Sequence, residues 1–323
     1  MLSPYLSVLI EKLSLSKEQS QNCLSSIFSG KASLEEIKAL LTLLKEKGES
    51  VEEIVGFATA MREAMVRVRL STPAMDLCGT GGSSIERFNV STSAAFILAA
   101  GGVPVAKHGN VGSRKENGSF NFLEALNIPF HHSVETLQHL FEKTSLCFLF
   151  ARRYHIAMRH VSQARQELGF RTIFNLLGPL CNPALVPYQI IGTPSQDIGK
   201  KLAKAIQLLG THRALIIVGG NGLDELANEV PSLIFEVTRG SIEEKRFDPS
   251  PLHLRSYIED SRIGNASRNA ALFVSLFTEK NSTDPIVQNV CLNAGAAFYC
   301  FGTTPSIEEG YHLARDFVRN GSV

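Results

Sequence analysis

Residues 76–124 read DLCGTGGSSIERFNVSTSAAFILAAGGVPVAKHGNVGSRKENGSFNFLE. A short apolar run, Ala74 to Cys78, stops at Gly79-Thr80-Gly81-Gly82. A hydroxyl-rich segment, Asn89-Val90-Ser91-Thr92-Ser93, then opens an apolar helical run, and a second short apolar run, Val103–Ala106, leads into Lys107-His108-Gly109-Asn110. The order expected is strand, glycine turn, helix start, strand and cationic turn. Glycines let backbone N–H groups approach an anion closely, and a helix N-terminus adds a favourable dipole. The stretch reads as a site for a ligand carrying several phosphates on an α/β scaffold.

Outward from it, the texture is that of α/β alternation. Apolar runs at Met75–Cys78, Leu146–Phe150, Tyr188–Ile191, Leu215–Val218 and Leu233–Val237 predict further strands of a mainly parallel sheet. The first seventy residues differ. Three capping boxes, Ser16 with Gln19, Ser33 with Glu36 and Ser50 with Glu53, mark helix starts, and Gly30 and Gly48 stand where the first two of these helices end. Ile54, Phe57, Ala58, Met61 and Met65 form one apolar stripe at helical spacing. Pro73 ends this region, so the expected domains are a helical one, 1–72, and an α/β phosphate-site domain, 73–323. Segment 155–183 interrupts the alternation and is expected to rejoin the helical layer; the chain from Asp284 onward reads as helical.

At 323 residues the chain exceeds what one core usually supports. Lys plus Arg number 32 against 31 for Asp plus Glu, and no basic stripe appears, which argues against nucleic-acid binding. Cys23, Cys78, Cys147, Cys181, Cys291 and Cys300 are scattered without a C-x-x-C pair, so neither a zinc site nor a disulfide framework is expected. The opening MLSPYLSVLIEKL lacks a basic leader, and no stretch is long and apolar enough to span a bilayer; a cytoplasmic enzyme without membrane partners is expected.

Individual motifs leave alternatives open. Gly79-Thr80-Gly81-Gly82 is neither a Walker loop nor a dinucleotide fingerprint. His108 alone reads as a structural histidine, and Lys107 alone as a surface charge; beside glycine turns at strand ends, Lys107 becomes a phosphate contact. Asp224-Glu225 reads either as two acids at a helix N-terminus or as hard oxygen ligands for Mg2+ shared with a polyphosphate. Arg165 is either a solvated charge on a helix or a fork for a ligand carboxylate.

Together these residues resemble the anthranilate phosphoribosyltransferase family, essentially end to end. The resemblance is carried by Lys47-Gly48-Glu49, Gly79 to Gly82, Asn89 to Thr92, Lys107 to Asn110, Leu123 to Leu126, the specific run Arg171 to Pro183, Asp224-Glu225 and Asn293-Ala294. It implies transfer of 5-phosphoribose from phosphoribosyl pyrophosphate (PRPP) to the amine of anthranilate, with Mg2+. It also implies a homodimer formed through the helical domains and an anthranilate synthase partner. By matched position, Gly79, Gly82, Asn89, Val90, Ser91, Thr92, Lys107, His108 and Ser119 would line the PRPP site. Asn110 and Arg165 would meet anthranilate, with Lys107, Asn110 and Arg165 serving the reaction. Ser91, Asp224 and Glu225 would serve the metal.

The chain departs from the family pattern mainly in the PRPP half. Ser83 stands for an aspartate, Arg87 for a threonine, Val111 for an arginine, Arg114-Lys115 for a serine pair and Asn121 for an aspartate; Ile156 replaces a proline. Ser83, Arg87, Arg114 and Lys115 are therefore further candidate ligand contacts, the three cations partly replacing lost phosphate contacts. The rival expectations are a pyrimidine nucleoside phosphorylase of the same architecture and a non-catalytic relative that binds nucleic acid.

Overall fold

The computed structural model describes residues 1–81, 87–112 and 116–323. Four helices open the chain: α1 (Ser3–Ile10), α2 (Lys17–Phe28), α3 (Leu34–Lys47) and α4 (Val51–Ala64). Ser16, Ser33 and Ser50 cap α2, α3 and α4 with the reciprocal bonds expected, each cap contributing about 1 kcal/mol. Glu53 does more than cap. Its buried carboxylate also accepts from Leu15 N at 2.9 Å and from Lys47 Nζ at 2.8 Å, tying α3 and α4 to the connection between α1 and α2.

The rest of the chain builds a seven-stranded sheet: β1 (Met75–Gly79), β2 (Val105–Gly109), β3 (Leu146–Phe150), β4 (Tyr188–Gly192), β5 (Arg213–Val218), β6 (Ser232–Thr238) and β7 (Ile242–Phe247). Its order is β3-β2-β1-β4-β5-β6-β7, with β1 to β5 parallel and β6 and β7 added as an antiparallel hairpin. The helices between are α5 (Val90–Ala100), α6 (Ser119–Ala125), α7 (Val134–Thr144), α8 (Ala151–Tyr154), α9 (Arg159–Leu168), α10 (Ile173–Leu180) and α11 (Gln196–Leu208). Helices α12 (Ala266–Thr278), α13 (Pro285–Phe301) and α14 (Ile307–Asn320) close the chain.

Two corrections to the sequence reading follow. Lys107, His108 and Gly109 are not a turn but the last three residues of β2. The reason is internal pairing: Asp76 of β1 accepts from His108 N at 3.1 Å, and the Lys107 ammonium donates to Leu77 O, so polar groups continue the strand under cover. Strand β7, Ile-Glu-Glu-Lys-Arg-Phe, was not expected, because four of its residues are exposed and its apolar signal is confined to its ends.

Strand alternation divides the core between the two sheet faces. Leu215 and Ile217 of β5 face α5, α13 and α14; Ala214 and Ile216 face the other way. That second face is shared. It packs with α11, with Val161 and Ala164 of α9, with Ile173 and Leu177 of α10, and through them with Leu40, Leu44, Ile54 and Phe57 of the N-terminal helices. The helical layer is thus continuous with one side of the sheet. Arg62 of α4 reinforces the junction by donating from Nε to Leu180 O at 2.7 Å.

Candidate active site

The carboxyl ends of parallel strands are where ligands meet an open α/β sheet. Here β1 ends at Gly79, β2 at Gly109 and β4 at Gly192. Each glycine has a close neighbour, and at Gly192 that neighbour is backbone. A Cβ on Gly192 would lie 1.6 Å from Asp224 O; one on Gly79 would lie 2.6 Å from Asp224 Oδ2; one on Gly109 would lie 2.2 Å from Ser119 Oγ. The glycines therefore let the acidic loop and the start of α6 sit directly on the strand ends.

Asp224 and Glu225 do not stand at a helix N-terminus, as one reading had it. They lie in the irregular segment after β5, whose next residues are pinned by asparagines of α13. Asn293 Oδ1 accepts from Leu226 N at 2.9 Å, and Asn289 Nδ2 donates to Leu226 O at 2.8 Å. Arg87 Nη1 donates to Asp224 Oδ1, and Tyr257 Oη donates to Glu225 Oε1. Burial pushes the Glu225 carboxyl up to about 7, Arg87 and the Tyr257 hydroxyl opposing the shift and Asp224 adding to it.

Arg87 itself is held by its backbone. Its carbonyl accepts from Asn117 Nδ2 at 3.0 Å and from Asn269 Nδ2 at 2.9 Å, and Asn269 also donates to Asn89 Oδ1 at 3.1 Å. Asn89 precedes α5 but makes no side-chain cap. The Asn89 carbonyl accepts from Thr92 N at 3.1 Å and Ser93 N at 2.9 Å, but its side chain takes none of the first amides of α5, at Val90 and Ser91, and that is where an anion meets a helix.

Lys107 is 2% exposed and turned inward. Its ammonium donates to Leu77 O and to Ser91 Oγ at 3.3 Å, so it reaches the front of the site through Ser91. Burial lowers its pKa, against the pull of Asp76. His108 is buried and neutral, pushed down to about 3 by burial and by neighbouring His155, so it is unsuited to hold a proton near neutral pH. Asn110 follows β2, and its carbonyl accepts from Phe120 N at 3.3 Å and Ser119 Oγ at 3.4 Å.

Arg165 lies on α9, its guanidinium 5.4 Å from the ring centre of Phe174, and burial lowers its pKa. The link between this side and the strand ends is Arg171, which donates from Nη2 to Thr80 O at 2.9 Å. Gly82, Ser83, Arg114 and Lys115 lie outside the described residues. Of the departures, Val111 packs against the Phe120–Phe150 aromatic cluster, and Asn121 Oδ1 accepts from Gly112 N at 2.8 Å and Gly118 N at 3.1 Å. Ile156 is half exposed in the short turn before α9. Asp76, Asn117, Tyr257 and Asn269 were not singled out in the sequence; only Asp76, an acid inside an apolar strand, carried a visible signal.

Among the described residues no group of three or more His, Cys, Asp or Glu is placed to hold a metal ion by protein ligands alone. Two adjacent carboxylates suit Mg2+ that takes its remaining oxygens from a bound phosphate ligand. A helical layer fused to a mainly parallel sheet, with glycines, a helix start without a side-chain cap and an acid pair at the strand ends, suits a transferase that handles a phosphorylated sugar.

Residues 3–65 match the helical bundle domain of a glycosyl transferase family, and residues 71–323 match its a/b domain. Anthranilate phosphoribosyltransferase of Rubrobacter xylanophilus is 43% identical over 95% of this chain and 90% of its own. The crystal structure of the Thermus thermophilus enzyme superposes with a TM-score of 0.90 at 37% identity, covering 98% of this chain and 95% of that one. The Saccharomyces cerevisiae enzyme in complex with PRPP and Mg gives 0.89 at 26% identity, covering 99% and 94%. The chain belongs to the anthranilate phosphoribosyltransferase family.

Proposed function

We propose that this protein transfers 5-phosphoribose from PRPP to the amine of anthranilate, releasing pyrophosphate. The observation that carries the proposal is a convergence on one strand end. Gly79 backs Asp224, and the next residue, Thr80, is held by Arg171 from the segment that joins α9 to α10. The start of the turn after β1, the acid pair and the segment between α9 and α10 thus meet at the carboxyl edge of β1, which supports one site for donor, metal and acceptor. The yeast enzyme is also known in complex with 4-fluoroanthranilate, which supports the acceptor.

The residues divide the work by position. Gly79, Asn89, Val90, Ser91, Thr92 and Ser119 would line the phosphoribose and diphosphate, with Gly82, Ser83, Arg114 and Lys115 completing that side. Lys107 places positive charge behind Ser91. Asp224, Glu225 and Ser91 would hold Mg2+, which, when bound, supplies charge neutralisation to a diphosphate leaving group. An aryl amine is already unprotonated at neutral pH, so no strong base is required, in keeping with a neutral, buried His108. Arg165 and Asn110 would orient the acceptor, a contribution of positioning.

Loss of anthranilate fluorescence on mixing protein, PRPP, Mg2+ and anthranilate checks this. Arg165→Ala is expected to raise KM for anthranilate by about tenfold or more while KM for PRPP stays put, the pattern of a lost binding contact. Phosphorolysis of thymidine or uridine without anthranilate turnover would reverse the assignment. We further propose a homodimer through the helical layer, supported by Ile10 and Leu13, which are 63% and 60% exposed on and just after α1. Light scattering at the mass of two chains is the check. The reaction belongs to tryptophan biosynthesis, with anthranilate synthase as the expected partner and the cytoplasm as its setting; no helix of the described residues is long and apolar enough to cross a membrane.

A further inference from the structure

Each member of the acid pair already has one partner in the protein itself. Arg87 Nη1 donates to Asp224 Oδ1, with the two side chains 17% and 8% exposed, and Tyr257 Oη donates to Glu225 Oε1. A guanidinium keeps its charge throughout the working pH range. Its backbone is anchored independently, by Asn117 and Asn269 on the Arg87 carbonyl, so the side chain is delivered to Asp224 by a built framework.

We propose that Arg87 is a resident counter-cation of the acid pair that a divalent metal must displace from Asp224. Two cations compete for one carboxylate, so Arg87 weakens metal binding in the protein without substrate. Once displaced, the guanidinium is free to fork onto phosphate oxygens, for which its geometry is suited. Metal and diphosphate binding are thereby coupled through one side chain. The inference rests on the reading of Asp224 and Glu225 as metal ligands.

The test is Mn2+ binding to the ligand-free protein, followed by electron paramagnetic resonance of free Mn2+, for the wild type and Arg87→Thr. The variant is expected to bind Mn2+ about tenfold more tightly, a change of about 1.4 kcal/mol. It is also expected to bind inorganic pyrophosphate more weakly at saturating Mn2+. Equal or weaker Mn2+ affinity in the variant overturns the proposal. Should Arg87→Thr fail to fold by circular dichroism, Arg87→Gln, which keeps an amide donor and most of the volume, carries the same comparison. Anthranilate turnover on the same preparations separates the two levels. Turnover with unchanged Mn2+ affinity sinks the counter-cation and leaves the enzyme assignment intact; tightened Mn2+ binding without turnover does the reverse.

Discussion

Asn121 illustrates how a single side chain sets the loop that follows β2. Its Oδ1 accepts from both Gly112 N and Gly118 N, tying the residue pair that follows Asn110 to the start of α6. A Cβ on Gly118 would lie 2.3 Å from Gly112 N, so the two backbone segments are in direct contact. Only an acceptor is needed there, so an amide and a carboxylate would serve alike. Asn121→Ala leaves two amides without their acceptor and is expected to cost about 1–3 kcal/mol, whereas Asn121→Asp is expected to keep the stability. Urea unfolding of the three proteins decides it; an alanine variant as stable as the wild type contradicts this account. At this scale the sequence was a partial guide. Lys107, Ser91, Asp224 and Arg165 could be singled out because their types match a phosphate, metal or carboxylate ligand, and of these the structure sets Lys107 against Ser91. Tyr257 and Asn269 were not, because a residue whose partner lies far away in the chain has no local pattern to reveal it.

Among the elements, the meeting of β4 with the acidic loop matters most. Gly192 ends β4 with no room for a side chain, since Asp224 O occupies that space. Gly192→Ala must therefore push the loop outward and carry Asp224 and Glu225 with it. The expected result is a folded protein whose turnover falls at least about tenfold, the response of a misplaced site rather than a lost core. Unchanged turnover with unchanged circular dichroism would mean that the acid pair does not depend on this contact. Strands β1 and β3 to β6 were legible as apolar runs between turn residues. The end of β2 was not, because Lys107 and His108 look like a cationic turn until Asp76 and Leu77 O are seen to receive them. The polar edge strand β7 escaped for the opposite reason, being mostly solvent-facing.

The whole molecule couples its helical layer to the sheet through one shared core, and a pair of buried imidazoles sits in the adjoining segments. His108 and His155 have ring centres 5.1 Å apart. Burial pushes them down to about 3 and about 4, respectively. Both folded-state values lie below the ordinary histidine value, so the unfolded chain binds more protons in mildly acidic solution. Their contribution is fully present above about pH 6.5 and is lost as pH falls toward the folded values, at roughly 1.4 kcal/mol per pH unit for each imidazole. Replacing His155 with Gln is expected to make the fall in unfolding free energy shallower between about pH 6.5 and 4.5 by one imidazole's share. Identical slopes for variant and wild type would show that His155 is not held neutral by the fold. The central claim, however, is that the carboxyl edge of this sheet grips PRPP. Isothermal calorimetry of the full chain with PRPP and saturating Mg2+ tests it most directly. One saturable site per chain, lost when Mg2+ is chelated, is the predicted result; a folded protein that takes up no PRPP at any Mg2+ concentration would contradict it.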